Sequence, residues 1–327
     1  MVAYILRRLI TAFITLWIIS IISFVIIQLP PGDFLTSYIA QLKVSGEDVD
    51  IATIEALKKQ YGLDKPIYVQ YLKWLWGILH GDFGYSFSWK KPVNELLWNR
   101  LGVTVLVATL SLIFSWIFGF IIGMYSAVHP YSIGDYLATI LGYIGLAVPN
   151  FLLALILMWG IYSLTGINLS GLHSVKYLNT PMTIDKFLDI LNHLWIPVLV
   201  LGTSGMAGLI RTLRANLLDE LHKPYVEAAL SKGLPENKVF WKYPLRIAMI
   251  PFISTVGWSL PWIFSGATIT AIVLNLPSVG PLLLNALKNQ DMYLAGSLVM
   301  FLSFFTVIGT LISDILLAWV DPRIRFE

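Results

Sequence analysis

Six long apolar stretches organise the chain, and most of its charged residues lie between them. A bilayer core of roughly 30 Å is crossed by about 20 apolar residues in helical form, because a helix satisfies its own backbone hydrogen bonds in lipid. The pattern therefore predicts an all-α polytopic membrane protein with six transmembrane helices. The stretches are Leu9 to Leu29, Val103 to Val128, Leu137 to Leu164, Trp195 to Ile210, Ile247 to Leu274 and Ala295 to Val320.

The first stretch follows Arg7 and Arg8, as the apolar core of a secretory signal peptide would. It exceeds the usual length of such a core, about 7 to 15 residues, and no small-x-small cleavage site follows it directly. We therefore expect it to be retained as the first membrane helix.

The segment between the first two stretches is predicted to fold into a small cap. Helical spacing of apolar residues occurs over Val49 to Gln60 and again over Tyr71 to Ile78, where Trp74 and Leu75 continue the stripe. The sequence thus divides into residues 1–29 with the first helix, 30–102 as an extracytoplasmic loop domain, and 103–327 as the main transmembrane domain.

Composition narrows the possible chemistry. The 327 residues are 57% hydrophobic and only 13% charged, about half the charged fraction of a typical soluble domain. The absence of cysteine excludes disulfides and thiolate metal sites, and the absence of any Gly-Lys pair excludes a phosphate-binding P-loop. Histidines show no ligand spacing, so no metal site is expected; they are His80, His129, His173, His193 and His222.

Charge distribution predicts the orientation. The segment from Arg211 to Arg246 carries seven Lys or Arg residues, whereas the loops Thr165 to Leu194 and Asn275 to Leu294 together carry three. Positive-inside reasoning places the basic segment and both termini in the cytoplasm, in agreement with an even number of helices. The loop from Pro30 to Gly102 is long enough to be exported regardless of its charge.

Prolines and glycines interrupt the third and fifth stretches. Such breaks suit helices that line a solute pathway, although ordinary kinked packing explains them equally well. The pathway candidates are Pro149, Asn150, Gly257 and Pro261.

One acid, Asp314, lies near the inner end of the last stretch. An intramembrane acid suggests a functional site by default, but a structural pair with Arg323 is the favoured interpretation. A proton-driven or sodium-driven carrier has little support, because the chain lacks a series of buried acids or histidines.

The stretch from Tyr225 to Glu236 predicts a helix, a stop and a second helix. Capping signals stand at the appropriate positions: Pro224, Glu227, Lys232, Gly233 and Pro235. Ala228 and Ala229 would leave a small-residue face that another surface could approach. These signals alone do not distinguish a docking element from an ordinary cytoplasmic helix pair.

The order Glu227-Ala228-Ala229, three residues, then Gly233 resembles the EAA loop of permease subunits in ATP-binding-cassette importers. In that family the short helix docks on the ATPase subunit. The family pattern continues with Ile-x-Leu-Pro, of which only Leu245 is matched. The resemblance therefore implies an ATPase-coupling loop over residues 224–246, and its residues are Tyr225, Glu227, Ala228, Ala229, Gly233 and Leu245.

Further motifs are similar to the peptide-permease branch of this family over nearly the whole chain. Arg246 completes the Leu-Arg pair of that branch, and Pro251 follows it. The other matches are Pro31-Gly32-Asp33, Gly62 to Pro66, Gln70-Tyr71, Gly81 to Ser86, Pro149-Asn150-Phe151, Arg211 with Arg214, and Asp321 to Arg325. One departure concerns the usual Glu-Thr-Val-Phe and Asn-x-Pro-Gly-x-Gly, which are here replaced by Ala271 to Leu274 and Asn275 to Gly280.

The resemblance implies the first permease subunit of a dipeptide or oligopeptide importer in a prokaryotic cell membrane. It implies no catalytic site and no cofactor in this chain, since ATP and magnesium would bind to partner subunits. The implied partners are a second homologous permease, two ATPases and an extracytoplasmic solute-binding protein, with no nucleic acid. Oligosaccharide import stays open as an alternative, and a secondary carrier or an uncoupled channel subunit as weaker ones.

The orientation predicts which residues an impermeant reagent reaches. Because the chain has no native cysteine, a single cysteine at Ser231 gives a clean readout in intact cells. We expect no labelling of this cysteine by an impermeant maleimide until the membrane is permeabilised. Labelling in intact cells would reverse the orientation.

Overall fold

The computed structural model describes residues 2–28, 65–86, 88–178, 180–255 and 268–320, and these are almost entirely helical. A short antiparallel hairpin pairs β1 (Tyr85–Ser86) with β2 (Lys91–Pro92), with Tyr85 opposite Pro92. The helices are α1 (Val2–Gln28), α2 (Ile67–Leu79), α3 (Val93–Val128), α4 (Ile133–Ala147), α5 (Asn150–Thr165), α6 (Ile184–Leu221), α7 (Pro224–Ser231), α8 (Glu236–Lys242), α9 (Pro244–Ser254), α10 (Thr268–Val273), α11 (Val279–Lys288) and α12 (Met292–Val320).

The predicted all-α membrane architecture is confirmed. Within the described ranges α1, α3, α6 and α12 are each long and apolar enough to cross a bilayer, and α4 with α5 adds a fifth span if the two are counted together. The count of six stays a prediction. The fifth apolar stretch forms α9 and α10, but residues 256–267, including Gly257 and Pro261, lie outside the described residues.

The third apolar stretch is not the single helix that its length predicts. It forms α4 and α5, which are bent by 106°. The cause is Pro149, because a residue before proline avoids the helical conformation, and Val148 accordingly has φ −86° and ψ 122°. The predicted break at Pro149 is confirmed, and it divides the stretch from Leu137 to Leu164 between two helices.

The fourth stretch belongs to a helix much longer than its apolar part. Helix α6 has 38 residues. Thr183 is its N-cap residue, and the Thr183 hydroxyl accepts a hydrogen bond from the Lys186 amide. Hydropathy marks only residues suited to lipid, whereas a helix continues through polar residues until a cap ends it. The basic residues Arg211 and Arg214 thus lie on α6 itself.

Two compact units make up the chain, a grouping that leaves the predicted three-part division untested. The first comprises Thr104–Pro277 with both chain ends, and α6 lies at its core. Small residues bring helices close to α6: a Cβ on Gly142 would lie 3.5 Å from that of Ala207, and one on Gly145 would lie 3.0 Å from the Thr203 carbonyl oxygen.

The second unit comprises Arg7–Val103 and Ser278–Val307. Its helix α2 confirms the amphipathic pattern around Trp74, which is buried, and the Tyr71 hydroxyl lies 2.8 Å from the Ser20 hydroxyl. The helical spacing over Val49 to Gln60 lies outside the described residues.

A buried carboxylate joins the hairpin to the start of α12 within this second unit. The Asp291 side chain is fully buried and accepts hydrogen bonds from the Ser86 hydroxyl at 2.5 Å, the Ser88 amide at 3.3 Å and the Leu294 amide at 3.4 Å. Burial raises the pKa of Asp291 even though these hydrogen bonds act in the opposite direction. Asp291 is therefore the residue that fastens this hairpin.

Replacing Asp291 by Ala removes the acceptor of these three donors, and each buried donor left unpaired costs about 1 to 3 kcal/mol. We expect a clear fall in the thermal unfolding temperature of the purified protein. Glu95→Ala, which breaks an exposed pair with Lys91, is the matched control and should change little.

Because the pKa of Asp291 is raised, the folded state holds its proton more tightly than the unfolded chain does. The stability difference between wild type and Asp291→Ala should therefore narrow as the pH rises from about 4 toward the raised pKa. Equal unfolding temperatures for Asp291→Ala and Glu95→Ala at low pH would contradict this account.

Candidate functional site

The predicted helix, stop and helix are present directly after α6. Helix α7 begins with Pro224, whose fixed φ suits the first helical turn, and Glu227 lies in that turn near the positive end of the helix dipole. Lys223, with φ −77° and ψ 145°, provides the extended step between α6 and α7.

Helix α7 ends in a Schellman motif. The Gly233 amide donates to the Leu230 carbonyl at 2.9 Å, and the Leu234 amide donates to the Ala229 carbonyl at 3.4 Å. Gly233 has φ +78°, in the left-handed region. A Cβ at Gly233 would meet no atom within 4 Å, so the backbone conformation rather than crowding requires glycine.

A small apolar cluster holds α7 on α8. Val226, Ala229 and Val239 are buried together, and Tyr225, Leu234 and Tyr243 pack around them. Leu234 directly follows the Schellman glycine, so the turn that ends α7 also delivers a side chain to this cluster.

The outward face of α7 differs from the small-residue face expected from the sequence. Glu227, Ala228 and Leu230 are exposed, but Ala229 is buried against the apolar cluster of α7 and α8. The expectation that Ala228 and Ala229 share an accessible face is therefore wrong. On a helix, adjacent residues point about 100° apart, so Ala228 faces outward while Ala229 packs against α8.

Tyr225 ties α7 to the end of α6. Its hydroxyl donates a hydrogen bond to the Glu220 carboxylate, and its ring packs on the cluster of α7 and α8. Burial, together with this hydrogen bond, raises the pKa of Tyr225 well above its ordinary value. The hydroxyl thus stays protonated and keeps donating across the physiological range.

Leu245 also points inward. It is 4% exposed and packs with Leu213, Leu217, Ala248 and Phe252, where α9 meets the last turns of α6. Leu245 therefore cannot form part of an exposed contact face; its place in the structure is the anchor of α9.

An ion pair on the other side of α6, between Arg214 and Asp135, is not predicted by the sequence pattern. The Arg214 guanidinium donates two hydrogen bonds to Asp135, from Nε to Oδ1 at 2.8 Å and from Nη2 to Oδ2 at 2.7 Å. Asp135 also accepts from the Tyr131 amide at 2.9 Å. Seventy-nine residues separate Asp135 from Arg214, so no local spacing could have paired them.

Of the four pathway candidates, the structure describes Pro149 and Asn150. Pro149 and Asn150 lie at the start of α5, where Pro149 stands at the N-cap without a side-chain hydrogen bond. Gly257 and Pro261 lie outside the described residues.

These features define a class: a multi-pass α-helical membrane protein that presents a short, fixed helix directly after one of its long apolar helices. A model for the binding-protein-dependent transport system inner membrane component matches residues 119–326, and a model for the N-terminal part of such components matches residues 1–108. The chain belongs to this family of transport-system membrane components.

Curated relatives match over the full length. The chain is 38% identical over 329 residues to the oligopeptide transport system permease protein AppB of Bacillus subtilis, covering 100% of both proteins. It is 30% identical to the glutathione transport system permease protein GsiC of Salmonella paratyphi A and 29% identical to the dipeptide transport system permease protein DppB of Escherichia coli, again covering 100% of each.

The Schellman turn predicts a specific response to substitution at Gly233. Gly233→Val forces a β-branched residue into a left-handed conformation at a cost of about 1 to 2 kcal/mol. We therefore expect amide exchange at Leu234 to become about 5 to 30 times faster, as measured by hydrogen exchange and mass spectrometry. Gly233→Asn is the control, because asparagine tolerates this conformation. Similar exchange in the Val and Asn variants would contradict a conformational role for Gly233.

Proposed function

We propose that the chain is the transmembrane permease subunit of an ATP-driven importer that translocates small peptides delivered by an extracytoplasmic binding protein. The full-length similarity to permeases named for oligopeptide, glutathione and dipeptide transport supports the substrate class. The observation that carries the coupling role is α7, a short helix with an exposed face and a fixed end, packed on α8 and tied to the end of α6 by the hydrogen bond from Tyr225 to Glu220.

The proposed partners supply what this chain lacks. A second, homologous permease completes the pathway, and two ATPase subunits bind ATP and magnesium, since this chain has no Gly-Lys pair for a phosphate loop. No cofactor is assigned to the chain itself, and no ATP hydrolysis either.

The proposed location is the inner or plasma membrane of a prokaryote, with both termini and the segment α7 to α9 in the cytoplasm. The concentration of Lys and Arg between Arg211 and Arg246 supports this orientation. It places α7 where a cytoplasmic ATPase could reach it.

The mechanical step follows from the packing. When the ATPases close, they push on the exposed side of α7 around Glu227 and Ala228. Tyr225 and Gly233 hold the helix at its two ends, so the displacement passes into α6 rather than being lost in local bending. Leu245 carries the same displacement into α9 through the buried cluster with Leu213 and Leu217. The breaks at Pro149, Gly257 and Pro261 are the proposed sites where membrane helices change direction along the pathway.

The sequence motifs specify the class of substrate less closely than the importer role, because Ala271 to Leu274 replaces the acid-containing segment of the peptide branch. Neutral oligosaccharides are the competing cargo. Peptides are preferred here because the similar permeases are named for peptide transport.

Transport by the reconstituted complex tests the function. Proteoliposomes containing this permease, its partner permease and the ATPases should accumulate radiolabelled oligopeptide only under two conditions. ATP must be present on the side of the membrane where the ATPases lie, and the cognate binding protein must be present on the other side. Gly233→Val should lower uptake severely while Gly233→Asn and Lys238→Ala retain most of it.

Each contrary outcome has a definite meaning. Uptake by this chain alone, driven by an ion gradient, would identify a secondary carrier. ATP-dependent uptake of oligosaccharide but not of peptide would reassign the cargo. Normal uptake by Gly233→Val in the same vesicles would show that the α7 loop is an ordinary turn.

A further inference from the structure

A cleft of about 620 Å³ lies beside α9, and neither the coupling role nor the pathway explains it. Its apolar lining comes from Phe120 on α3 and from Leu245, Met249 and Ile253 on α9. Its remaining lining residues are Trp241, Lys242 and Arg246, at the junction of α8 and α9. The volume lies within the range of pockets that hold small molecules, about 300 to 1,000 Å³.

The lining changes from cationic to apolar along one helix face. Arg246, Met249 and Ile253 follow each other at spacings of three and four residues, which places them on the same side of α9. Seven residues separate Arg246 from Ile253, a rise of about 10 Å. The cleft is therefore charged at one end and apolar at the other.

The two cations have no anionic partner in the part of the chain that the structure describes. No carboxylate there lies within salt-bridge distance of Lys242 or Arg246, and both side chains are exposed. The Lys242 ammonium lies 5.4 Å from the Tyr243 ring centroid, and Trp241 is 58% exposed beside it. Tryptophan is characteristic of the level where headgroups meet acyl chains.

We propose that this cleft binds one anionic phospholipid, with its phosphate between Lys242 and Arg246 and an acyl chain along Phe120, Met249 and Ile253. The polarity of a phospholipid matches the cleft in its order, from a charged end to an apolar one. A soluble phosphate compound would use the cationic end but make no contact with the apolar lining.

The side of the membrane agrees with this ligand. In the orientation proposed above, the cleft opens at the cytoplasmic leaflet, where anionic lipids are concentrated and attract nearby Lys and Arg side chains. This inference rests on the proposed orientation of α8 and α9 but not on the identity of the transported solute.

The test is lipid binding, measured without transport. The full-length chain, purified with the subunits that accompany it, is titrated in detergent with dioleoylphosphatidylglycerol or dioleoylphosphatidylcholine and examined by native mass spectrometry. The variant Lys242→Gln/Arg246→Gln should bind the anionic lipid about 10 to 30 times more weakly and the zwitterionic lipid as before. The matched control, Lys223→Gln/Lys238→Gln, removes two other exposed cations and should behave as wild type.

Two further arms distinguish the possible occupants. Dihexanoylphosphatidylglycerol, which keeps the headgroup but shortens the chains, should bind more weakly than the dioleoyl lipid. Inorganic phosphate at the same concentration should not displace the dioleoyl lipid.

The proposal is overturned if Lys242→Gln/Arg246→Gln binds the anionic lipid as tightly as wild type, or if the control pair loses as much affinity. Displacement by inorganic phosphate would assign the cationic end to a soluble anion instead. Absence of dioleoylphosphatidylglycerol binding to the wild-type complex would also overturn the proposal. Failure of peptide uptake leaves these binding results unaffected, so the two proposals fail separately.

Discussion

The packing of α9 against the last turns of α6 is the contact on which the candidate site depends. Leu213 and Leu217 of α6 are fully buried against Leu245 and Phe252 of α9. Close packing of these large side chains holds α9 against α6. Without this cluster, the segment that leaves α6 at Leu221 would have no fixed attachment at its far end.

The opposite side of α6 is fixed by charge rather than by apolar packing. The two hydrogen bonds from Arg214 to the buried Asp135 hold the start of α4 on α6. Removing one partner of such a pair costs about 3 to 5 kcal/mol, because it leaves the other charge buried and unpaired. Apolar burial thus holds α9 on α6, and the hydrogen-bonded ion pair holds α4 on it. Each contact limits the rotation of α6.

Local chemistry explains where the chain stops and turns. Pro149 ends α4 through its effect on Val148, and Gly233 ends α7 through its positive φ. Both effects act within a few residues, so both breaks could be predicted from the sequence. The angle of the bend at Pro149 could not, because it depends on how α4 and α5 pack on α6.

The sequence by itself determined the membrane class, most of the apolar spans, the charge asymmetry, and the helix, stop and helix that follow α6. These properties depend on residue type and short spacing. Tertiary structure decided which side chains the site can present. Ala229 and Leu245 match the family pattern but face inward, and Asp135 and Ser86 find partners 79 and 205 residues away. The direction in which a side chain points, and its pairing with a distant residue, depend on which distant elements meet. Neither propensity nor periodicity within one segment carries that information.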